Sequence, residues 1–130
     1  MDVFVYGTLT DPDRVDDLLD DWTFGPDAVL RGVHRVDGRY PTLAPGGEVR
    51  GRLLRTTDLD ALDAYEGVDR GLYARVAVAR AAADDPVAVY VGDPVRLGTA
   101  ESVELAGDGP LFDRLVEFVE TRATVRTSRE

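Results

Sequence analysis

The sequence predicts an α+β fold in which a small mixed, mainly antiparallel β-barrel, or a strongly curved sheet, is flanked by helices. Three observations predict this fold. Several short apolar or alternating segments are joined by brief turns, and two or three segments show helical periodicity. The chain has 130 residues, of which 44% are hydrophobic, and this length suits one core. We therefore predict a single domain over residues 1–121 and a frayed tail over residues 122–130.

The chain begins with a predicted strand followed by a predicted helix. Residues 2–6 are short and largely apolar, which predicts a buried strand. Asp11 and Pro12 then predict a helix start, because aspartate caps helices well and proline is tolerated in the first turn. The spacing of the apolar residues predicts that one helix face packs on the sheet, and this face comprises Val15, Leu18, Leu19 and Trp22.

Four further strands are predicted from apolar or alternating runs bounded by turn-forming residues. The strands are residues 28–36, 48–56, 72–81 and 87–91. The turns are predicted at Gly25-Pro26, Asp37-Gly38, Pro45-Gly46-Gly47 and Asp84-Asp85-Pro86. Because most of these connections are short, we expect antiparallel pairing.

Two more helices complete the prediction. Asp58 is placed to cap a helix through Leu59, Leu62 and Tyr65, and Gly67 is placed to end it. A C-terminal helix is predicted to start near Pro110, with an apolar stripe formed by Leu111, Leu115, Phe118 and Val119. This stripe could also mediate a homodimer.

The charge of the chain excludes two classes of partner. Its formal net charge is −10, and all 15 of its cationic side chains are arginines. Nucleic acids and anionic membranes bind cationic surfaces, so we predict neither as a partner. The N-terminus lacks the features of a signal peptide, and no run approaches the ~18 apolar residues that would span a bilayer, so we expect a cytoplasmic protein.

The chain offers few residues for nucleophilic or metal chemistry. It has no cysteine, which excludes a disulfide framework, a thiolate nucleophile and cysteine-bound metal. Its one histidine, His34, lies in an alternating run and is predicted to be a half-exposed strand residue. We predict no metal site and no cofactor.

Glu66 is the most informative single residue. It follows Leu59 and Leu62 at helical spacing, so its carboxylate is predicted to project from the face that docks on the core. Burial and the negative end of the helix dipole both disfavour the charged carboxylate, so its pKa should rise toward the range of a general base. The alternative is a surface ion pair with Arg70 or Arg75.

The loop after the first strand could supply the other half of a site. The backbone N–H groups of Gly7, Thr8 and Leu9 could converge on a carboxylate or carbonyl oxygen, and Tyr6 and Thr8 add hydroxyl groups. The alternative is an ordinary glycine turn.

Taken together, these motifs resemble the γ-glutamylcyclotransferase-like superfamily, which includes the AIG2-like proteins and the γ-glutamylamine cyclotransferases. The resemblance covers most of residues 1–93. It is carried by Val3-Phe4-Val5-Tyr6-Gly7-Thr8-Leu9, Gly38-Arg39-Tyr40-Pro41, Val49-Arg50-Gly51, Leu62-Asp63-Ala64-Tyr65-Glu66-Gly67 and Tyr73-Ala74-Arg75-Val76.

This resemblance implies a small β-barrel with flanking helices and an enzyme that converts a γ-glutamyl amine or γ-glutamyl amino acid to 5-oxoproline. It implies that Glu66 is the proton acceptor and donor, and that no metal or cofactor takes part. The residues expected to contact the small-molecule γ-glutamyl substrate are Tyr6, Gly7, Thr8, Leu9, Tyr40, Tyr73 and Arg75. Positive potential for this acidic substrate is expected from the arginines of residues 31–39 and 50–55.

A noncatalytic module that binds a small metabolite is the alternative function. An acidic side chain inside an anion-binding pocket would weaken binding, whereas catalysis needs it, so the presence of Glu66 favours an enzyme.

The acidic composition predicts a dependence of stability on salt. An aspartate-rich, lysine-free surface is typical of halophilic proteins, and its self-repulsion is screened at molar ionic strength, where the Debye length is about 3 Å. We expect a melting temperature that rises from dilute buffer to molar potassium chloride, measured by circular dichroism. A melting temperature that does not change would favour an ordinary acidic protein from a GC-rich genome.

Overall fold

A computed structural model describes residues 1–127 of the chain and contains six strands and three α-helices. The strands are β1 (Asp2–Val5), β2 (Trp22–Val36), β3 (Thr42–Thr56), β4 (Tyr73–Arg80), β5 (Ala83–Gly92) and β6 (Thr124–Thr127). The helices are α1 (Pro12–Leu18), α2 (Leu59–Glu66) and α3 (Leu111–Arg122). Short 3₁₀ turns lie at Thr8–Thr10, Val68–Arg70 and Ala100–Ser102. None of the helices within residues 1–127 has the length and apolar character needed to cross a membrane.

The six strands form a closed barrel in the order β1-β3-β2-β6-β4-β5. The β1–β3, β2–β3, β2–β6 and β4–β5 pairs are antiparallel, whereas β1–β5 and β4–β6 are parallel. The predicted α+β class and the mixed, mainly antiparallel barrel are therefore confirmed.

Two of the predicted turns lie inside long strands, and both predictions were wrong. The β2–β3 register shifts between Phe24 and Asp27, so Gly25-Pro26 is a bulge within β2. A second shift opposes Gly32 to Gly46 and Gly47, and all three glycines have positive φ, at 102°, 99° and 80°. Bulges bend strands and increase their twist, which helps a long hairpin curve around a barrel. Glycine and proline mark bends here, and the chain does not reverse.

The predicted turn at Asp84-Asp85-Pro86 was also wrong. These residues belong to β5, and the reversal between β4 and β5 occurs at Ala81 and Ala82, since Arg80 pairs with Ala83. Asp84, Asp85 and Pro86 therefore lie just after the chain reversal and not within it.

The helices follow their predicted caps. Asp11 begins α1 and accepts a hydrogen bond from the Asp13 amide at 3.0 Å. The helix ends at Leu18, however, and Trp22 begins β2, so the prediction that Trp22 extends this helix face was wrong.

The C-terminal helix packs on the barrel. Leu115 and Val119 of α3 are fully buried, and Leu111, Phe112, Val116 and Phe118 pack against the same core. The apolar stripe therefore packs on the barrel, with Leu111 and Phe118 partly buried, and the homodimer stays a prediction.

Two hydrophobic clusters form the core. The first draws on all six strands and α3, and its fully buried members include Leu30, Leu43, Val87, Val89 and Val125. The second packs α1 and α2 against the barrel through Val3, Val15, Leu19, Leu54 and Leu62. Val3, Phe4 and Val5 of β1 alternate between the clusters, which explains why these three successive residues are all apolar.

The prediction of a frayed tail was wrong for residues 122–127. Arg122 ends α3, and β6 then fills the gap between β2 and β4, with Val125 fully buried. A strand of four residues gives a weak local signal, and its burial depends on partners that are distant in sequence. Residues 128–130 of the predicted tail lie outside the described residues.

A pair of alanine substitutions in β6 tests the closure of the barrel. Val125→Ala removes buried methyl groups and leaves a cavity, so we expect it to lower the free energy of unfolding by about 2 to 3 kcal/mol. Arg126→Ala changes the adjacent exposed side chain and should alter stability by about 0.5 kcal/mol or less. Urea unfolding in molar potassium chloride measures both, and equal small effects would mean that this segment is frayed.

Candidate active site

A cavity of about 490 Å³ opens beside the end of β1. All five tyrosines of the chain line it. The other polar lining groups come from the 7–10 loop, from Glu66 at the end of α2, and from Arg14 and Arg70. The two segments that the sequence singles out, 5–9 and 65–67, therefore meet at one cavity.

Glu66 owes its position to the two ends of α2. The Asp58 carboxylate caps the first turn by accepting from the Ala61 amide at 3.2 Å, and Gly67 ends the helix in a left-handed conformation at φ 74°. Leu62 is fully buried one turn earlier and anchors this face to the core. The last residue of the helix is thereby held at the cavity wall.

The carboxyl group of Glu66 is partly buried and lacks a counter-ion. Burial raises its pKa from the ordinary 4.5 to about 7. No arginine nitrogen within residues 1–127 lies within 4.0 Å of its oxygens. The alternative of a surface ion pair with Arg70 or Arg75 is therefore absent from the structure. A group in this state can exchange a proton near neutral pH.

The loop of residues 7–10 contributes Gly7, Thr8 and Leu9 to the lining of the same cavity. Its 3₁₀ turn begins with the Thr10 amide, which donates to the Gly7 carbonyl at 3.0 Å. The preceding amides of Gly7, Thr8 and Leu9 consequently have no acceptor within the turn. The Thr10 hydroxyl also donates to the Gly7 carbonyl at 2.7 Å, and the Thr8 hydroxyl bonds to the Tyr65 hydroxyl at 2.9 Å. This bond joins the loop to α2.

Three tyrosines are held by hydrogen bonds to the scaffold. The Tyr6 hydroxyl donates to the Tyr90 carbonyl at 2.8 Å, the Tyr90 hydroxyl donates to the Asp63 carboxylate at 2.7 Å, and the Tyr73 hydroxyl donates to the Pro41 carbonyl. Burial raises the pKa of all three phenols, and the negative charge of Glu66 adds to the effect. These tyrosines therefore stay neutral and act as fixed walls around Glu66.

The structure brings together most of the predicted substrate-contact residues. Tyr6, Gly7, Thr8, Leu9 and Tyr73 line the cavity with Glu66. Tyr40 lines it too and is 55% exposed. Their roles stay predictions.

Arg75 is not among the residues that line the cavity, and its predicted contact with substrate stays a prediction. Its guanidinium lies 3.3 Å from the Asp63 carboxylate. Tyr73 belongs to the buried cluster that packs α1 and α2 on the barrel. Arg75 lies two residues later on β4, so it leaves the same face of the strand and reaches Asp63 of α2. Asp63 thus joins Arg75 and Tyr90 to the helix that carries Glu66.

The arginines that line the cavity lie outside residues 31–39 and 50–55, the two segments predicted to supply its positive charge. Arg14 lies in α1 and Arg70 in the 3₁₀ turn after Gly67. From residues 31–39, Arg35 approaches by donating to the Tyr6 carbonyl at 2.9 Å, whereas Arg50 and Arg52 line a different groove. Arg70 could have been predicted at the cavity, because it lies only three residues after Gly67, which ends the helix of Glu66. Nothing in the sequence places Arg14 there.

No group of three or more His, Asp or Glu side chains within residues 1–127 lies close enough to hold a metal ion. His34 is exposed on β2, where its Nδ1 bonds to the Gly46 carbonyl at 2.9 Å, away from the cavity residues.

Comparison with known proteins gives a family match. The model of the family described as gamma-glutamyl cyclotransferase, AIG2-like, matches residues 3–107, which extends past the 1–93 segment of the sequence motifs. Two Arabidopsis thaliana relatives, AIG2-like protein A and AIG2-like protein C, are 38% identical over 81 residues and 41% identical over 76 residues. The matches cover 58% and 52% of this chain and 49% and 44% of the relatives. The chain therefore spans about half the length of the curated relatives it matches.

Solved structures show the same fold. One described as gamma-glutamyl cyclotransferase is 17% identical with a TM-score of 0.60, and the match covers 90% of this chain and 98% of that one. A crystal structure of an uncharacterized human protein is 18% identical with a TM-score of 0.59, covering 89% and 97%. A solution structure of an Arabidopsis thaliana protein is 30% identical with a TM-score of 0.54, covering 89% and 82%.

The raised pKa of Glu66 predicts a pH-dependent stability. The folded chain holds this proton more tightly than the unfolded chain, so this group makes the free energy of unfolding fall as pH rises from about 4.5 to about 7. Glu66→Gln removes that dependence and should be more stable than the parent by about 2 to 3 kcal/mol above pH 7, with little difference near pH 4.5.

Urea unfolding at a series of pH values measures this difference. Glu48→Gln provides a matched control, because Glu48 is exposed on β3 and its loss should leave the pH profile parallel to that of the parent. If Glu66→Gln also ran parallel, the carboxyl would be fully solvated.

Proposed function

We propose, from the premise that the chain belongs to the gamma-glutamyl cyclotransferase, AIG2-like family, that it converts a γ-glutamyl amine or γ-glutamyl amino acid to 5-oxoproline and a free amine. The observation that carries the proposal is the placement of Glu66. Its carboxyl has a pKa of about 7 and shares a cavity with the open amides of the 7–10 loop. Glu66 can transfer protons, and the 7–10 loop can donate hydrogen bonds to the substrate.

The first step is attack within the substrate. The α-ammonium of the γ-glutamyl group gives a proton to the Glu66 carboxylate, and the freed nitrogen attacks the γ-carbonyl carbon. A five-membered ring and a tetrahedral intermediate form. Because nucleophile and electrophile belong to one molecule, correct positioning supplies up to ~7 to 11 kcal/mol of the barrier reduction.

The second step breaks the original amide bond. The Glu66 carboxyl gives its proton to the departing nitrogen, and the carbonyl of 5-oxoproline re-forms as the C–N bond cleaves. The attacking nitrogen loses two protons in all, and the departing amine carries both away as an ammonium ion. Glu66 therefore returns to its starting state, and the reaction balances without a metal, cofactor or second substrate.

The open amides and the cavity arginines suit the anionic parts of the substrate. The amides of the 7–10 loop can donate either to the α-carboxylate or to the oxyanion of the tetrahedral intermediate. Arg14 and Arg70 supply positive charge on an otherwise acidic protein. The neutral tyrosines hold the ring-closing atoms in a fixed, partly dry space.

A binding module of the same fold is the competing function. In such a module the cavity would hold a small anion without turnover. The unpaired Glu66 carboxylate argues against it, because a buried negative charge opposes the binding of an anion, whereas the proposed reaction needs a proton acceptor.

Substitution of Glu66 tests the proposal. We expect purified Glu66→Gln in molar potassium chloride to form 5-oxoproline from γ-glutamyl amines and dipeptides about 10²- to 10⁴-fold more slowly, since general acid–base groups contribute rates of that order. Chromatographic detection of 5-oxoproline measures turnover, and calorimetry with the same compounds measures binding. Glu48→Gln serves as the control of equal charge change and should keep parental turnover.

The pH profile gives an independent measurement. A general base must be ionised, so kcat/KM of the parent should fall about tenfold per pH unit below the Glu66 pKa of about 7. Equal turnover by parent and Glu66→Gln would refute the role of Glu66. Binding of γ-glutamyl compounds without turnover by any variant would instead establish the binding module.

A further inference from the structure

A second groove lies on the outer face of the barrel and shares no lining residue with the cavity of Glu66. Its volume is about 650 Å³. Three arginines line it, Arg50 and Arg52 from β3 and Arg126 from β6, and we call it the arginine groove. Its walls also include Thr10, Asp27 and Val29. The proposed function uses none of these side chains.

The barrel register places the three guanidinium groups on one face. Val29 of β2 pairs with Arg50 on one side and with Arg126 on the other. Two strand spacings therefore separate the Cα atoms of these arginines by about 10 Å. Arg52 lies two residues beyond Arg50 on the same strand, so its side chain leaves the same face. The three cations form a triangle over Val29.

Arg52 is fixed in position. Its guanidinium lies 3.7 Å from the ring centroid of Phe24, an arrangement in which planar arginine stacks well. Its Nε is buried and has no hydrogen-bond partner within residues 1–127. A buried donor without an acceptor costs free energy, so the scaffold holds Arg52 in this position without satisfying all of its donors.

The three arginines are unpaired in a chain rich in carboxylates. Acidic residues number 25 against 15 arginines, yet none of the three groove arginines forms an ion pair or a side-chain hydrogen bond within the described 127 residues. Asp27 pairs with Arg52 in the strand register, but its carboxylate lies more than 4.0 Å from the guanidinium by the same measure. Like charges gathered without partners repel one another, and an anion between them relieves that repulsion.

We infer that the arginine groove binds a small anion that carries two or more phosphate or carboxylate groups. Three guanidinium groups without partners among the described residues offer more donors and more positive charge than one tetrahedral oxyanion neutralises, and Arg52 is held in place on Phe24. Arginine binds both phosphate and carboxylate in a bidentate manner, so the groove recognises the oxyanion chemistry that the two share.

Calorimetric titration with inorganic tripolyphosphate tests this site. The lowest potassium chloride concentration at which circular dichroism shows the native fold limits screening of the charges. We expect one tripolyphosphate per chain, bound at least ~10-fold more tightly than orthophosphate, because the longer anion brings several charged groups to the three arginines. A parallel titration with citrate distinguishes a phosphate site, which citrate does not occupy, from a general polyanion site, which it does; either result supports the inference.

Three variants make the assignment specific. Arg50→Gln/Arg126→Gln should weaken tripolyphosphate binding about 10-fold or more. Arg52→Lys keeps the charge but loses the planar group stacked on Phe24, so it should weaken binding several-fold. Arg122→Gln removes an exposed arginine outside the groove and should bind like the parent.

Two results would overturn the inference. One is tripolyphosphate binding that is no tighter than orthophosphate binding. The other is an equal loss in Arg122→Gln and in the double variant, which would mean that the whole charge of the protein, and not the groove, attracts the anion. Circular dichroism and the melting temperature of each variant establish that it is folded.

Discussion

The burial of one carboxyl group without a counter-ion is the constraint on which the site depends. Glu66 ends a helix whose first turn is capped by Asp58 and whose last residue is set by the left-handed Gly67. Leu62 locks the same helix face into the core. Burial is costly for a carboxylate, and here no arginine within residues 1–127 lies close enough to offset it. Glu66 therefore lowers the free energy of unfolding near neutral pH and places a carboxyl group of raised pKa in a tyrosine-lined cavity.

The barrel supplies the rigidity that this arrangement needs. β1 lies between β3 and β5, so the loop that leaves its end is anchored on both sides. The Tyr6 and Tyr90 hydrogen bonds link β1 to β5 and β5 to α2. The Thr8–Tyr65 bond then closes the connection between loop and helix. The 7–10 loop and Glu66 lie about sixty residues apart in sequence. Hydrogen bonds between side chains of the scaffold hold them next to each other. This is the kind of support that a proton-transfer site requires.

Local chemistry made part of this structure predictable. Asp58 and Gly67 define α2 by capping alone, and the helical spacing of Leu62 and Glu66 then aims the carboxyl inward. The features that escaped prediction depend on distant partners. The glycines of β2 and β3 read as turns because only the opposite strand makes them a bulge. The β6 strand is too short to be recognised without β2 and β4. The ion pair between Arg75 and Asp63 was not predicted, because a sequence does not show that these two side chains face each other.

The arginines of this acidic protein include some that pair with carboxylates of the scaffold and others that stand at the cavity without such a partner in the described part of the chain. Several arginines serve the scaffold through carboxylates, as Arg80 does with the buried Asp2. Arg14 and Arg70 stand at the cavity, and neither takes a carboxylate partner within residues 1–127. If the proposed reaction is correct, the substrate supplies both missing partners: its carboxylate for an arginine and its ammonium for Glu66. Binding would then offset the desolvation of the Glu66 carboxylate and favour its ionised form, which is the form that accepts the proton. In the proposed reaction, Glu66 and the two cavity arginines would therefore match, in sign of charge, the ammonium and carboxylate groups of a γ-glutamyl substrate.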